Sequence, residues 1–137
     1  MDPTTLPTRL FAIISSGALD ELDALLHPEF VCHGPAGRAL DADGLRALVA
    51  EFRSAFPDMT VAALDVVAAG DRVGWRVDGH GTHTGPFLGV APTGRRVRLL
   101  GVDLARVQDG RVREMWSGED LAGVLMQIGA IPVPTPA

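Results

Sequence analysis

A chain of 137 residues with a net charge of −5 is long enough for one domain with a real core and too short for two. The acidic balance excludes a nucleic-acid module, which would carry a basic stripe, and no stretch reaches the roughly 20 apolar residues of a membrane span. All twelve basic residues are arginine and tyrosine is absent, which excludes a lysine Schiff base, a lysine general base and a tyrosine oxyanion donor.

Acid–base chemistry therefore falls to Asp, Glu and His. The lone Cys32 cannot close an internal disulfide, and the N-terminus lacks the basic-then-apolar build of a signal peptide, so the expected address is the cytoplasm. The all-arginine usage is that of a GC-rich bacterial genome.

In chain order, residues 5–17 place Leu6, Leu10, Ile13 and Ile14 at helical spacing and stop at Gly17. Asp20 to Leu26 reads as a short second helix ended by Pro28, and "EFVCHG" (29–34) as a short extended piece entering a loop at Gly34-Pro35. Residues 42–56 form the clearest helix, with Leu45, Leu48, Val49, Phe52 and Phe56 on one stripe and Pro57 as the stop.

The period then changes to two. Residues 59–70 and 71–85 flank a Gly70-Asp71 turn and predict a long hairpin, followed by a turn-rich connector over 86–94. A third long strand over 95–107 is joined through Gln108-Asp109-Gly110 to a strand over 111–116, and a last helix covers 118–128. Residues 1–130 are expected to form the domain, and the proline-rich 131–137 a mobile tail. Helices, then a meander of antiparallel strands, then one more helix predict an α+β domain. A strongly bent sheet folded over the helices would make a cone with an apolar mouth, a natural place for a small-molecule pocket.

The stretch "GTHTGPFLGVAPTGRRVRLLGVDLARVQDGRVREMWSGEDLAGVLMQIG", with "ALDELDALLHPEFVCHGP" before it, resembles the SnoaL-like polyketide cyclases of the cone-shaped NTF2-like superfamily. The resemblance implies a curved antiparallel sheet packed on N-terminal helices. It also implies a hydrophobic polyketide-like substrate, and ring closure by an aldol step without metal or cofactor. The family's aldol members carry an aspartate just past the last strand and a histidine on the strand before it. Aligned from the shared "QIG", the aspartate position falls on Ser117 and the histidine position on Asp103, so this chain departs from the family pair.

Asp103 is the only ionisable group on the strand face Val97, Leu99, Gly101, Asp103, Ala105, Val107. A carboxyl group in an apolar pocket has its pKa raised, which suits a general base working next to a carbonyl. His83 shares a face with Val73, Trp75 and Val77, with Gly79 and Gly81 leaving room between them, and is the expected partner of Asp103. His80 and His83 sit three apart on a strand, hence on opposite faces, and predict no metal site.

The expected pocket takes Trp75, Leu99 and Leu121 as apolar wall and His33 at its mouth. A two-residue Asp109-Gly110 turn would set Trp116 opposite Asp103, whereas a three-residue turn with a bulge at Gly110 would bring Met115 and Ser117 round instead. The resemblance favours the bulge. Arg106 and Glu114 are expected to pair on the other face. Ser117 to Asp120 has the spacing of a capping box, which predicts Ser117 as N-cap and Asp120 as a first-turn carboxylate rather than a catalytic acid.

The reading is a cofactor-independent cyclase or isomerase using Asp103 and His83. The alternatives are a non-catalytic binding protein, or a hydrolase or hydroxylase variant of the same fold. The apolar outer face (Leu100, Val102, Leu104) predicts a homodimer.

Overall fold

The structure is a computed structural model and describes residues 2–136. Met1 and Ala137, the outermost residues of the expected domain and tail, lie outside them. Helices α1 (Leu6–Ser16) and α2 (Leu22–Leu25) lead into strand β1 (Leu26–His33), a short β2 (Ala39–Leu40) and helix α3 (Ala42–Ala55). Strands β3 (Thr60–Ala69), β4 (Arg72–Thr82), β5 (Arg96–Gln108) and β6 (Arg111–Glu119) follow, and α4 (Leu121–Gln127) closes the fold.

The helices begin and end where local chemistry dictates. Gly17 ends α1 in the left-handed conformation at φ 78°, where a side chain would be strained. Asp41 caps α3 by accepting a hydrogen bond from the Gly44 amide at 2.8 Å. The buried stripe Leu6, Leu10, Phe11 and Ile13 of α1 packs with Leu45 and Val49 of α3 against the inner sheet face, where Val73, Trp75 and Val77 of β4 lie buried. Burying each such aliphatic or aromatic side chain contributes about 1.5–3 kcal/mol.

All six strands form one sheet in the order β2-β1-β6-β5-β4-β3. The predicted meander β3 to β6 is present and antiparallel. The extended piece predicted at 29–34 is a longer strand, β1, which adds to the sheet parallel to β6. Among the described residues no helix is long and apolar enough to cross a membrane. Residues 131–136 form no helix or strand.

The β5–β6 hairpin resolves the register. Gln108 pairs with Arg111, so Asp109 and Gly110 (φ 55° and 75°) make the two-residue turn. The ladder then slips between Val107↔Val112 and Arg106↔Glu114, leaving Arg113 as the extra residue. The bulge therefore exists, but at Arg113 and not at Gly110. Its effect is the one the bulge alternative predicted: Ser117 pairs with Asp103, Met115 with Ala105, and Trp116 with Leu104 on the outer face.

The last strand runs to Glu119, three residues beyond its predicted end. Ser117 thus pairs in the sheet and does not cap α4. Asp120 is itself the N-cap, accepting from the Gly123 amide at 2.8 Å. Two glycines allow the extension: a Cβ on Gly118 would lie 2.6 Å from the Val102 carbonyl oxygen, and one on Gly101 2.8 Å from the Glu119 Cα.

On the outer face, Val67 (68% exposed), Val102 (64%), Leu64, Leu100 and Leu104 form an apolar strip. Flanking it are the ion pairs Arg76–Asp65, Arg98–Asp78 and Arg106–Glu114. The Arg106–Glu114 pair, expected from the strand alternation, is present at 3.4 Å.

Candidate active site

The inner sheet face and helices α1 and α3 enclose a cavity of about 740 Å³ of atom-free space, its open mouth included. Its wall is almost wholly apolar, with Phe11, Val49, Phe52, Val77, Leu99 and Met115 as the main surfaces and Leu121 of α4 at one end. The polar groups on that wall are Ser117 and Glu119, side by side on β6 because residues two apart share a strand face. A wider vestibule, sharing Pro35, Leu48, Phe52 and Leu121 with the cavity, carries Arg38 and Glu51.

Asp103 lies directly behind this polar corner. It is 1% exposed, with Trp75 opposite it on β4 and Ser117 opposite it on β6. Its Oδ1 accepts a hydrogen bond from the Gly118 amide at 3.1 Å, while Oδ2 is buried and meets no donor. Burial pushes the Asp103 carboxyl up to about 9; the Glu119 charge and a hydrogen bond between the two carboxyl groups push the same way. The Gly118 amide and the Trp75 indole oppose that shift. The indole N–H nevertheless has no partner within hydrogen-bond geometry, so the amide is the stronger restraint.

Glu119 is held from the other side by Ser117, whose hydroxyl donates to its Oε2. Cys32 of β1 belongs to the same buried region, across from Met115. Burial raises its thiol to about 12, and the Glu119 and Asp103 charges add to the effect, so it stays a neutral packing group.

Of the residues singled out from the sequence, Leu99, Met115, Ser117 and Leu121 line the cavity. Trp75 lies buried beside Asp103, edge-on to Phe11 at 6.0 Å, rather than on the cavity wall. Three expected residues lie elsewhere. His33 and Trp116 stack on each other at 5.3 Å on the other side of β6, because the Arg113 bulge turns Trp116 outward. His33 also bonds Glu114 at 2.7 Å, and Arg72 lies over the Trp116 ring.

His83 is fully buried as expected, but far from Asp103. Its amide bonds Arg95, eight positions along the chain from Asp103, which is roughly 25 Å along a strand. The imidazole Nδ1 accepts from the Thr93 amide at 3.2 Å with the Thr93 hydroxyl 2.9 Å away, and the ring packs on Phe56. His83 therefore ties down the 86–94 connector and shares no proton with Asp103. The open space at Gly81 is likewise taken by Phe56, whose Cβ would lie 2.9 Å from an added Cβ.

Glu119 is the site residue the sequence reading missed. Its signal was the alternation Met115, Ser117, Glu119, which continues the strand past residue 116. The Ser-x-x-Asp pattern across the same residues pointed to a helix start instead.

The family model for SnoaL-like polyketide cyclase matches residues 4–128. Nogalonic acid methyl ester cyclase of Streptomyces nogalater is 28% identical over 127 residues, covering 88% of this chain and 92% of that protein. Among solved structures, IdmH of Streptomyces antibioticus, a proposed polyketide cyclase, is 34% identical with a TM-score of 0.84, covering 94% of this chain and 99% of that one. AclR of Streptomyces galilaeus, a proposed hydroxylase, is 27% identical with a TM-score of 0.85, covering 96% of this chain and 83% of that one.

Proposed function

Because the chain belongs to the SnoaL-like polyketide cyclases, we propose that it closes a ring in a hydrophobic polyketide-like molecule by carboxyl acid–base chemistry, without metal or cofactor. The observation that carries this reading is the polar corner itself. Glu119 and Ser117 line one end of an otherwise apolar cavity with the Asp103 carboxyl buried behind them, where low dielectric strengthens every charge they present. An apolar wall holds a flat, poorly charged substrate, and a carboxylate at its end can move a proton next to a carbonyl.

The relatives' substrates, methyl esters of nogalonic and aklanonic acids, define the class to try first. The reading places the protein in bacterial secondary metabolism and in the cytoplasm. It also makes the outer strip of Val67, Leu100 and Val102 the contact with a second copy, which sedimentation would show as a dimer.

The test is product identity. Incubated with either ester, the protein should return an isomer of the same mass with one new ring and a hydroxyl in place of one carbonyl. Recovery of bound but unchanged ester would favour a binding protein. A product heavier by one oxygen would favour the hydroxylase reading, which the likeness to AclR keeps specific.

A further inference from the structure

We propose that Glu119 is the group that exchanges protons with the ligand, and that Asp103 is a positioning residue that keeps a proton behind it. This rests on the reading of the cavity as a cyclase site and assigns roles within it.

Access divides the two carboxyl groups. Glu119 is on the cavity wall, whereas Asp103 is 1% exposed and absent from that wall. Proton placement divides them again. The Ser117 hydroxyl and the Gly118 amide are spent on Glu119 Oε2 and Asp103 Oδ1 respectively, and the Trp75 indole N–H, opposite Asp103 on β4, reaches neither oxygen within hydrogen-bond geometry. Asp103 Oδ2 is left buried without a donor. An ionised oxygen there would be an unpaired buried charge, which is costly, while a protonated oxygen is a donor that needs an acceptor. The Glu119 carboxylate beside it is that acceptor, and no arginine or histidine lines the cavity to hold a second negative charge. Cys32, the other titratable group packed here from β1, remains a neutral thiol.

The division gives a balanced step. Glu119 takes a proton from the carbon next to a substrate carbonyl: the C–H bond breaks, an O–H bond forms on Glu119, and the electron pair becomes an enolate. The enolate carbon bonds to a second carbonyl carbon, whose π pair moves to its oxygen. That oxygen takes the proton from Glu119, which returns ionised. The net change is an isomerisation. Asp103 keeps its own proton throughout and holds Glu119 in line.

Two measurements on the full chain test this, and the first needs no substrate. In protein carrying 13C-labelled carboxyl groups, an NMR titration should show Asp103 keeping its proton through neutral pH. In E119Q the Asp103 midpoint should fall by at least one pH unit. Asp103 already ionised at neutral pH would overturn the assignment.

The second measurement uses nogalonic acid methyl ester. E119Q should lose at least 100-fold in kcat with KM little changed. D103N should keep more than a tenth of kcat, because an Asn amide can still donate toward Glu119. D103A should lose more, and thermal unfolding of each variant checks that it is folded. The opposite order, with D103N the more damaged of D103N and E119Q, would overturn the proposal. If wild-type protein turns over neither this ester nor its aklanonic counterpart, the cyclase reading fails, while the titration still decides where the proton sits.

Discussion

Asp103 and Ser117 face each other across β5 and β6 only because Arg113 drops out of the ladder between them. A hairpin with the same two-residue turn and no bulge would put Trp116 opposite Asp103. One unpaired residue therefore decides whether the cavity ends in a serine and a carboxylate or in an indole.

That relationship is testable through its neighbours. Met115→Trp should fill the cavity and raise KM at least tenfold or abolish ligand binding. Trp116→Ala should leave KM within about twofold and cost on the order of 1 kcal/mol of stability, through loss of the His33 stack and the Arg72 contact. Ligand titration and urea unfolding of both variants give the answer.

The buried Asp103 carboxyl makes stability depend on pH. Its native pKa, about 9, lies above the unfolded value near 3.8, so in that window the folded state binds more protons than the unfolded state. Stability is thus favoured below the unfolded pKa and falls as pH rises toward 9, with a slope no steeper than about 1.4 kcal/mol per pH unit for this group. D103N removes this dependence. Its stability relative to wild type should improve from pH 5 to pH 8, as urea midpoints at the two pH values would show.

Asp120 should behave as a cap. Asp120→Ala is expected to cost about 0.5–2 kcal/mol and D120N much less, since asparagine caps nearly as well. Neither should alter kcat more than about threefold. A hundredfold loss in D120N would return Asp120 to the chemistry.

Cys32 should be silent. At 1% exposure and with its thiol pushed up to about 12, it should react with a thiol reagent at pH 8 only as fast as the chain opens. One thiol should appear at once in denaturant.

Much of this site was legible along the chain. The alternation in β5 placed Asp103 on the inner face with Leu99 and Ala105, and the structure keeps it there. Periodicity says which face a residue takes but nothing of what lies across from it. His83 shares the inward direction of Trp75, yet sits eight residues further along and belongs to the connector's anchor, a distance no face pattern reveals. The parallel pairing of β1 with β6 joins residues more than eighty positions apart and depends on tertiary packing alone. At Ser117 to Asp120 two local rules competed. The capping pattern predicts a helix, and the alternation predicts more strand. The strand wins because Gly101 and Gly118 let β5 and β6 approach closely enough to continue pairing.

The polar corner on β6 also has a length scale. Residues on one strand face repeat about every 7 Å, so a carboxylate at 119 stands one pleat beyond a carboxylate at 117. The resemblance places the family's acid at position 117, where this chain has a serine. On the proposed assignment the acid stands at 119 instead, which keeps the wall, the sheet and the entrance and shifts by about 7 Å the point on a ligand at which a proton is removed. The strand would then work as a ruler, its mark set one notch nearer the final helix.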